Sequence, residues 1–542
     1  MGLITLLTYA VGGIVAALII FAILMQTPLA TPMMNFLLEI RWMYVVPLVL
    51  PMSFIHEQYW ILRDWYYYTF VADPKGHADR VKKIQAQIRA WHDAGKPGGK
   101  LTSARHSNDM MSPNHKFYKK KDSSIYLPLF DILEVDEKNM TVTSEPRVNM
   151  GRMSKILMNK GFCLPIVPEM DDLTVGGLIN GYGIEGSSHK YGLFADIVES
   201  MDVVLGNGEL VTCSPTKNAD LFYAIPWSYG SLGFVVKAVI KVQKFKPYIK
   251  LNYLPCRTLD ECVDTFNREV NKENPHEYVE AIMYTKTTGV VMVGDLVDNV
   301  EHGYEANYCN SWYKPWFYKH VESKLDEKNA NKCTEFIPSR HYWHRHTRSI
   351  FWEGELIVPF GNHWLFRLLL GWMMPPKIRF LKMTEPRFIR KYYANKHIIQ
   401  EGLFPTSTLK QHIEAIHDIF EVYPVWLCPH KLYKTEPQGL MGPPKCENGK
   451  DYEMYVDLGF WFAPGKVLRG EEFDAVKQTK LFEKYLRENR CFQSEYADVY
   501  QSMEEWEKMW NIEEWEKARR KYHGITNFMH PLDKIGVNRG CA

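Results

Sequence analysis

Five glycines, Gly176, Gly177, Gly181, Gly183 and Gly186, fall within eleven residues of the segment LPIVPEMDDLTVGGLINGYGIEGSSHKYGLF, Leu164 to Phe194. A backbone so bare of Cβ atoms can approach a ligand closely and aim its N–H groups at phosphate oxygens, so the segment points to nucleotide binding. Neither common fingerprint is met. A G-x-G-x-x-G turn should open a helix after a strand, and the Walker loop requires Gly-Lys-Ser/Thr. On the glycines alone, a cluster of turns with no ligand is an equally good account.

The neighbourhood supplies the fold class. From Ser123 to Lys244 short apolar runs alternate with turn signals: Ile132 to Val135, Met140 to Val142, and Asp202 to Leu205 followed by Asn207-Gly208 and Glu209 to Val211. The last pair reads as a hairpin, with Asn-Gly supplying the positive φ of a tight two-residue turn. A helix is predicted over Met150 to Lys160, which makes residues 100–245 an α+β unit. Another is predicted over Pro74 to Ala94, where Val81, Ile84, Ile88 and Trp91 recur at helical spacing before Gly95 to Gly99. Residues 246–480 mix helical and strand patterns and are rich in Trp, Tyr and His, as befits a second α+β domain, with Glu436 to Gly449 as an exposed loop. Residues 481–542 are read as a C-terminal helical segment, in which Glu-Glu-Trp-Glu-Lys occurs at 504–508 and again at 513–517.

A length of 542 residues exceeds what one core supports and calls for two or three units. A formal charge of +2 with no basic block argues against a nucleic-acid partner. The ten cysteines form no C-x-x-C pair, so they read as buried thiols in a reducing compartment, and no metal site is expected. Residues 1–60 form an expected membrane anchor. Leu3 to Met25 runs 23 residues without a charge, enough for a helix to cross a bilayer, with no Lys or Arg ahead of it to mark a secretory signal. A second apolar stretch, Trp42 to Ile55, is broken by Pro47 and Pro51; spanning, dipping in and returning, and packing on the first helix all remain open. Residues 61–99 form a neck. Its basic residues Arg63, Lys75, Arg80, Lys82, Lys83 and Arg89 place the body on the cytosolic side, and the aromatic run Tyr59-Trp60 and Trp65 to Tyr68 suits headgroup depth or the body's own surface.

Six blocks in order, Leu164-Pro-x-x-Pro, Thr174-Val-Gly-Gly, Tyr191-Gly, Val204-Leu-Gly-Asn-Gly, Asp220-Leu-Phe-Tyr-Ala and Gly230-Ser-Leu-Gly-Phe-Val, resemble the FAD-binding domain of the vanillyl-alcohol oxidase and p-cresol methylhydroxylase superfamily. Within it, Asp171 to Ile179, Gly183 to Phe194, Tyr223 to Ser228, Tyr313 to Phe317 and His344 to Glu353 resemble the delta-24 sterol reductase (Diminuto-like) group. The resemblance implies an α+β fold: a two-subdomain FAD-binding domain, then a cap domain over the flavin ring. It implies flavin contacts from Thr174, Val175, Gly176, Gly177, Leu178, Ile179, Asn180, Gly181, Tyr182, Gly183, Ile184, Glu185 and Gly186. The loop Trp227 to Gly233, with Ser228, Gly230 and Gly233, is a second wall. The run Arg105-His106-Ser107-Asn108-Asp109 does not match the pattern of members that tether flavin through histidine, so FAD is expected to be noncovalent.

The implied activity is reduction of the delta-24 double bond of a sterol side chain, with NADPH as reductant, at the cytosolic face of the endoplasmic reticulum membrane. An isolated alkene has no carbonyl to polarise, so arrival of hydride must be matched by a proton from a placed acid. His346, Glu353 and Tyr342 are the candidate donors, and Arg345 and Arg348 candidate phosphate partners. Trp312, Trp316, Phe317, Trp343, Phe351, Trp352 and Trp364 are candidates to line an apolar sterol site or to pack the core. Two other readings stay open: an FAD-dependent oxidase or dehydrogenase of another alcohol or lactone, and a non-catalytic membrane-tethered flavin domain.

Overall fold

The structure, a computed structural model, describes residues 23, 26–27, 30–110, 118–329, 333–384, 396–443, 446 and 449–536. Apart from Ile23, the expected span Leu3 to Met25 lies outside them. Among the described residues no helix is long and apolar enough to cross a membrane.

The first described helix, α1 (Ala30–Glu39), leads into an arm that stays helical through both prolines of the second apolar stretch. A turn at Trp42–Tyr44 passes into a π-helical turn, Val45–Val49, and then into α2 (Leu50–Tyr66). Proline lacks the N–H an α-helix needs, and a widened turn around Pro47 absorbs the loss. The arm packs on the second domain. Ser53 Oγ accepts from Lys377 N (2.8 Å), Glu57 pairs with Lys377 (3.0 Å), and the Phe54 and Trp372 rings meet edge-on with centroids 4.7 Å apart.

Helix α3 (His77–Asp93) follows, with Val81, Ile84, Ile88 and Trp91 buried as their spacing requires. Strands β1 (Ile132–Asp136), β2 (Thr141–Ser144), β3 (Val198–Val204), β4 (Leu210–Cys213) and β5 (Phe234–Lys241) form an antiparallel sheet in the order β1-β2-β5-β3-β4. Helix α4 (Met150–Asn159) lies between β2 and β3 in sequence, capped by Asn149, whose side chain accepts from Arg152 N. The β3–β4 hairpin forms as read, but only Gly208 takes positive φ (86°), and the turn is closed by Leu205 N donating to Glu209 O at 2.8 Å. The connection is therefore wider than a two-residue turn.

The second domain is an eight-stranded sheet built from β6 (Tyr248–Cys256), β7 (Tyr278–Met283), β8 (Gly289–Val297), β9 (Thr334–Pro338), β10 (Ile398–Pro405), β11 (Val425–Tyr433), β12 (Tyr452–Phe462) and β13 (Phe492–Gln493). Its order is β9-β6-β8-β7-β11-β12-β10-β13, antiparallel throughout. Side chains alternate between the two faces of a strand. One face carries Phe404, Val425, Leu427, Val456, Leu458 and Phe460, and helices such as Leu259–Val270, Leu409–Phe420 and Ala475–Glu488 bury it with Phe266, Ile416, Phe420 and Phe482. Phe420, Phe460 and Phe482 form an aromatic knot with centroids 5.2–5.5 Å apart. The opposite face carries Glu280, Cys428, Asp457 and Glu401, and it looks toward the glycine-rich segment.

The C-terminal segment is not purely helical. After the end of the helix Ala475–Glu488 it supplies β13, the edge strand of the second domain's sheet, and the helices Met503–Met509 and Ile512–Lys521 bury Trp506 and Trp515. It then returns to the first domain, where Leu101 N donates to Asn527 O (2.8 Å) and Tyr522 Oη to Asp220 (2.8 Å). The nine described cysteines are all free thiols, and Cys541 lies outside the described residues.

Candidate functional site: a glycine-rich segment facing a carboxyl-bearing sheet

Thr174 precedes the short helix Val175–Asn180, from which the chain runs extended through Gly183 and Gly186 to Ser188–Tyr191. None of the five glycines takes positive φ, so what they contribute is the missing Cβ. For some of them the missing atom makes room for the chain itself. A Cβ on Gly176 would stand 2.7 Å from Pro146 Cβ, and one on Gly183 would stand 2.8 Å from Phe194 Cβ. Gly233 likewise makes room for Val203, 2.6 Å from where its Cβ would lie. Gly177 differs: a Cβ there would meet only Thr174 Oγ1, at 3.1 Å, which leaves its outer side for a ligand. The loop Trp227–Gly230 is held in an unusual backbone, with Trp227 at φ 65°, Tyr229 at 51° and Gly230 at 72°. Tyr229 N ties it to Asn180 O (2.8 Å), and the buried Ser228 and Ser231 hydroxyls have no hydrogen-bond partner.

Next to this segment sits a group of cations that the sequence reading did not single out. Arg105 donates to Thr174 Oγ1 (3.1 Å). Lys119 donates to Ser103 O (2.9 Å) and Arg105 O (2.7 Å). Lys534, 9% exposed, donates only to the carbonyls of Tyr229 (3.0 Å) and Gly230 (2.9 Å). Burial and then neighbouring cations push all three below their usual values: Lys534 down to about 7 with Lys119 and Arg519 nearby, Lys119 to about 8 beside Arg105, and Arg105 to about 10 beside Arg147. Buried cations served by carbonyls and hydroxyls call for a polyanion. A diphosphate between Thr174, Arg105, Lys119 and the 227–230 loop meets that need, and the orphaned serines offer further donors, so these residues fit an FAD. Positions 105, 119 and 534 are scattered along the sequence, and only the fold brings them together.

Glu185 of the segment and Glu280 of β7 share the buried Arg345, whose Nη2 reaches Glu185 Oε1 at 2.7 Å and Glu280 Oε2 at 2.6 Å. Burial raises Glu280, but Arg345 and His346 more than offset this and keep it ionised. Arg345 thus balances carboxylates and is not free to hold a phosphate. Arg348 donates to main-chain carbonyls of Asn310 (3.1 Å) and Met374 (3.0 Å). Of the candidate donors, His346 is buried, stacked on Phe351 with centroids 4.4 Å apart, and pushed down to about 4 by desolvation, so it is neutral at pH 7. Tyr342 Oη donates to Glu280 (3.3 Å) and burial raises it far above its usual value, while Glu353 pairs with His397 at 2.7 Å. His106 is exposed and caps its own turn, with Nδ1 accepting from Asn108 N. Among the aromatic candidates Trp316, Phe317, Trp343, Phe351 and Trp352 are buried, Trp312 is 36% exposed and Trp364 62% exposed.

A glycine-rich segment with flanking cations, set against the polar face of an antiparallel sheet, defines a flavoprotein of the vanillyl-alcohol oxidase type, and residues 79–214 match the family model described as FAD binding domain. The similarity extends far beyond that domain. The chain is 41% identical to "Delta(24)-sterol reductase" of Mus musculus and to that of Homo sapiens, in each case over 507 residues covering 92% of this chain and 94% of the relative. It is 40% identical to the Arabidopsis thaliana protein of the same name over 533 residues, 93% of this chain and 94% of the relative. The chain belongs to the delta(24)-sterol reductase family.

Proposed function

We propose that this protein is an FAD-dependent reductase of the delta-24 double bond of sterol side chains, with NADPH as its reductant. The observation that carries the reading is the pairing of a cation-flanked, glycine-rich cofactor segment with a dry sheet face bearing carboxyls, in a chain alike from end to end to proteins named for that reaction. Bound flavin supplies hydride transfer. The chain's own share is fourfold. Thr174 to Gly186 with Ser228 and Gly230 bind the cofactor. Arg105, Lys119 and Lys534 neutralise its diphosphate. The buried Trp426, Phe351 and Trp461, with centroids 4.5–6.3 Å apart, keep water from the sheet face and offer an apolar wall to a sterol. The carboxyls on that face supply the proton.

The membrane half of the reading rests on a surface. In the arm, Leu48, Met52, Ile55, Ile61, Leu62 and Trp65 are 55–67% exposed, and in the second domain the helix Trp364–Leu370 exposes Trp364, Leu368 and Leu369 at 53–62%. Contiguous apolar patches of this kind mark an interaction surface, and the uncharged run Leu3 to Met25 precedes the same arm in the sequence. A bilayer is the partner that fits both, with the endoplasmic reticulum membrane as location and the body facing the cytosol. Purified protein should be yellow, should bleach with NADPH under anaerobic conditions and should regain its colour on addition of a delta-24 sterol. Failure of sterol to reoxidise the bleached protein would remove the substrate assignment, and colour restored by a small alcohol's ketone would favour the dehydrogenase reading.

A further inference from the structure

We propose that Asp457, on the inner face of β12, is the catalytic acid that protonates the alkene, with Glu401 and Tyr496 behind it as the route that restores its proton. This rests on the reductase reading above and assigns it a residue.

The strand register places the group. Asp457 stands opposite Cys428 on β11 and Leu403 on β10, and Gly459 stands opposite Glu401. Asp457 and Glu401 are thus diagonal neighbours on one face, a relation that brings side chains within roughly 7 Å. On the facing side, the Tyr182 ring belongs to the glycine-rich segment and its hydroxyl lies beside Asp457. Asp457 is fully buried, and neither of its oxygens makes a hydrogen bond of normal geometry, the nearby Tyr182 hydroxyl being its polar neighbour across the face. Glu401 Oε1 accepts from Tyr496 Oη (2.9 Å), while its Oε2 is unpartnered too. Buried polar atoms are almost always satisfied, so several unpartnered ones gathered on one sheet face, opposite the cofactor segment, mark a place for a ligand.

Charge explains which of the carboxyls keeps its proton. Arg345 serves Glu185 and Glu280, and no salt bridge to Asp457 or Glu401 forms among the described residues. Burial, and then the neighbouring Glu401, raise Asp457 well above the usual carboxyl range; burial lifts Glu401 to about 7 and Glu169 to about 8. A carboxyl kept neutral in a dry site is what an unpolarised alkene requires of its acid. His430, also buried on β11, has an unpartnered Nε2 but is pushed down to about 4 by burial and so is neutral there. The electron balance is simple. The alkene π pair takes the proton from the Asp457 carboxyl and becomes one new C–H bond; the electron-deficient carbon takes a hydride from the reduced cofactor as the other. Asp457 is left as carboxylate, and a solvent proton reaches it through the partly exposed Tyr496 and Glu401.

The test uses the full-length holoprotein carrying ¹³C-labelled aspartate. Infrared spectroscopy at neutral pH should show the C=O stretch of a protonated, buried aspartic acid, shifted in D2O and missing from Asp457→Asn. After anaerobic bleaching with dithionite, Asp457→Asn that retains FAD should be reoxidised by sterol at least ~100-fold more slowly than the parent, in the range that loss of a general acid produces. Asp457→Glu should recover part of that rate. Absence of the aspartic acid band from the parent protein overturns the proposal whether or not any variant folds. Undiminished reoxidation in Asp457→Asn also overturns it. A parent protein that shows the band but is reoxidised by no sterol would instead defeat the reductase reading.

Discussion

Gly176 and Gly177 are adjacent and chemically identical, yet they serve different masters. Gly176→Ala drives a methyl against Pro146 and is expected to destabilise the fold by about 1–3 kcal/mol, measured as a lower denaturation midpoint. Gly177→Ala meets only Thr174 Oγ1; it should leave the midpoint of the apoprotein nearly unchanged and weaken FAD by at least ~10-fold in a fluorescence titration. Equal effects on both quantities would show that the segment is structural throughout. Lys534 gives a second test at this scale. Its value near 7 and that of Lys119 near 8 mean that both lose charge as pH rises toward 9 in the empty site. A diphosphate favours the charged forms, so FAD binding takes up protons in that range, and affinity should fall as pH rises from 7 to 9. Calorimetry in buffers of different ionisation enthalpy checks the proton count. These cations illustrate what a linear reading misses: Arg105 was legible only as part of a run that fails to match a tether, and Lys534, between Asp533 and Ile535, lies far in sequence from the glycines it serves.

At the scale of elements, the sheet of the second domain separates its two duties by face. Phe482 belongs to the helix-covered face, and Phe482→Ala should cost about 3–5 kcal/mol by opening a cavity beside Phe420 and Phe460, without changing flavin affinity in the protein that remains folded. Arg345→Leu acts on the other face. It strands Glu185 and Glu280 without their cation, and a loss of about 3–5 kcal/mol in urea denaturation is expected, eased at low pH where both carboxyls take up protons. Helical elements were the more legible ones. Val81, Ile84, Ile88 and Trp91 announce their helix by spacing, and so does the turn at Gly208 its hairpin. Strands such as Val290 to Val293 and Tyr455 to Phe460 are buried on both faces, so they show no alternation, and Asp457 within one of them gives no sign of facing a site. The helical arm was hard to read for a different reason: a π turn carries it through Pro47, and a second element distant in sequence, Trp364–Leu370, adds to its apolar surface.

For the molecule as a whole, the family was legible from its ordered motifs, and the plan of a cofactor unit followed by a larger sheet is present in the structure; the reach of the chain across both was not. Residues 101 and 527 are hydrogen-bonded neighbours, β13 completes the sheet begun by β6, and the cations around the glycine-rich segment come from positions 105, 119 and 534. Lys534 and Asn527 emerge from a ribosome hundreds of residues after Gly177. A nascent chain halted anywhere before them holds a glycine-rich segment without its full charge or its closing contacts, and it should be colourless. Yellow colour is therefore a proofreading mark: it reports that translation has passed residue 534 and that the two regions most remote in sequence have found each other.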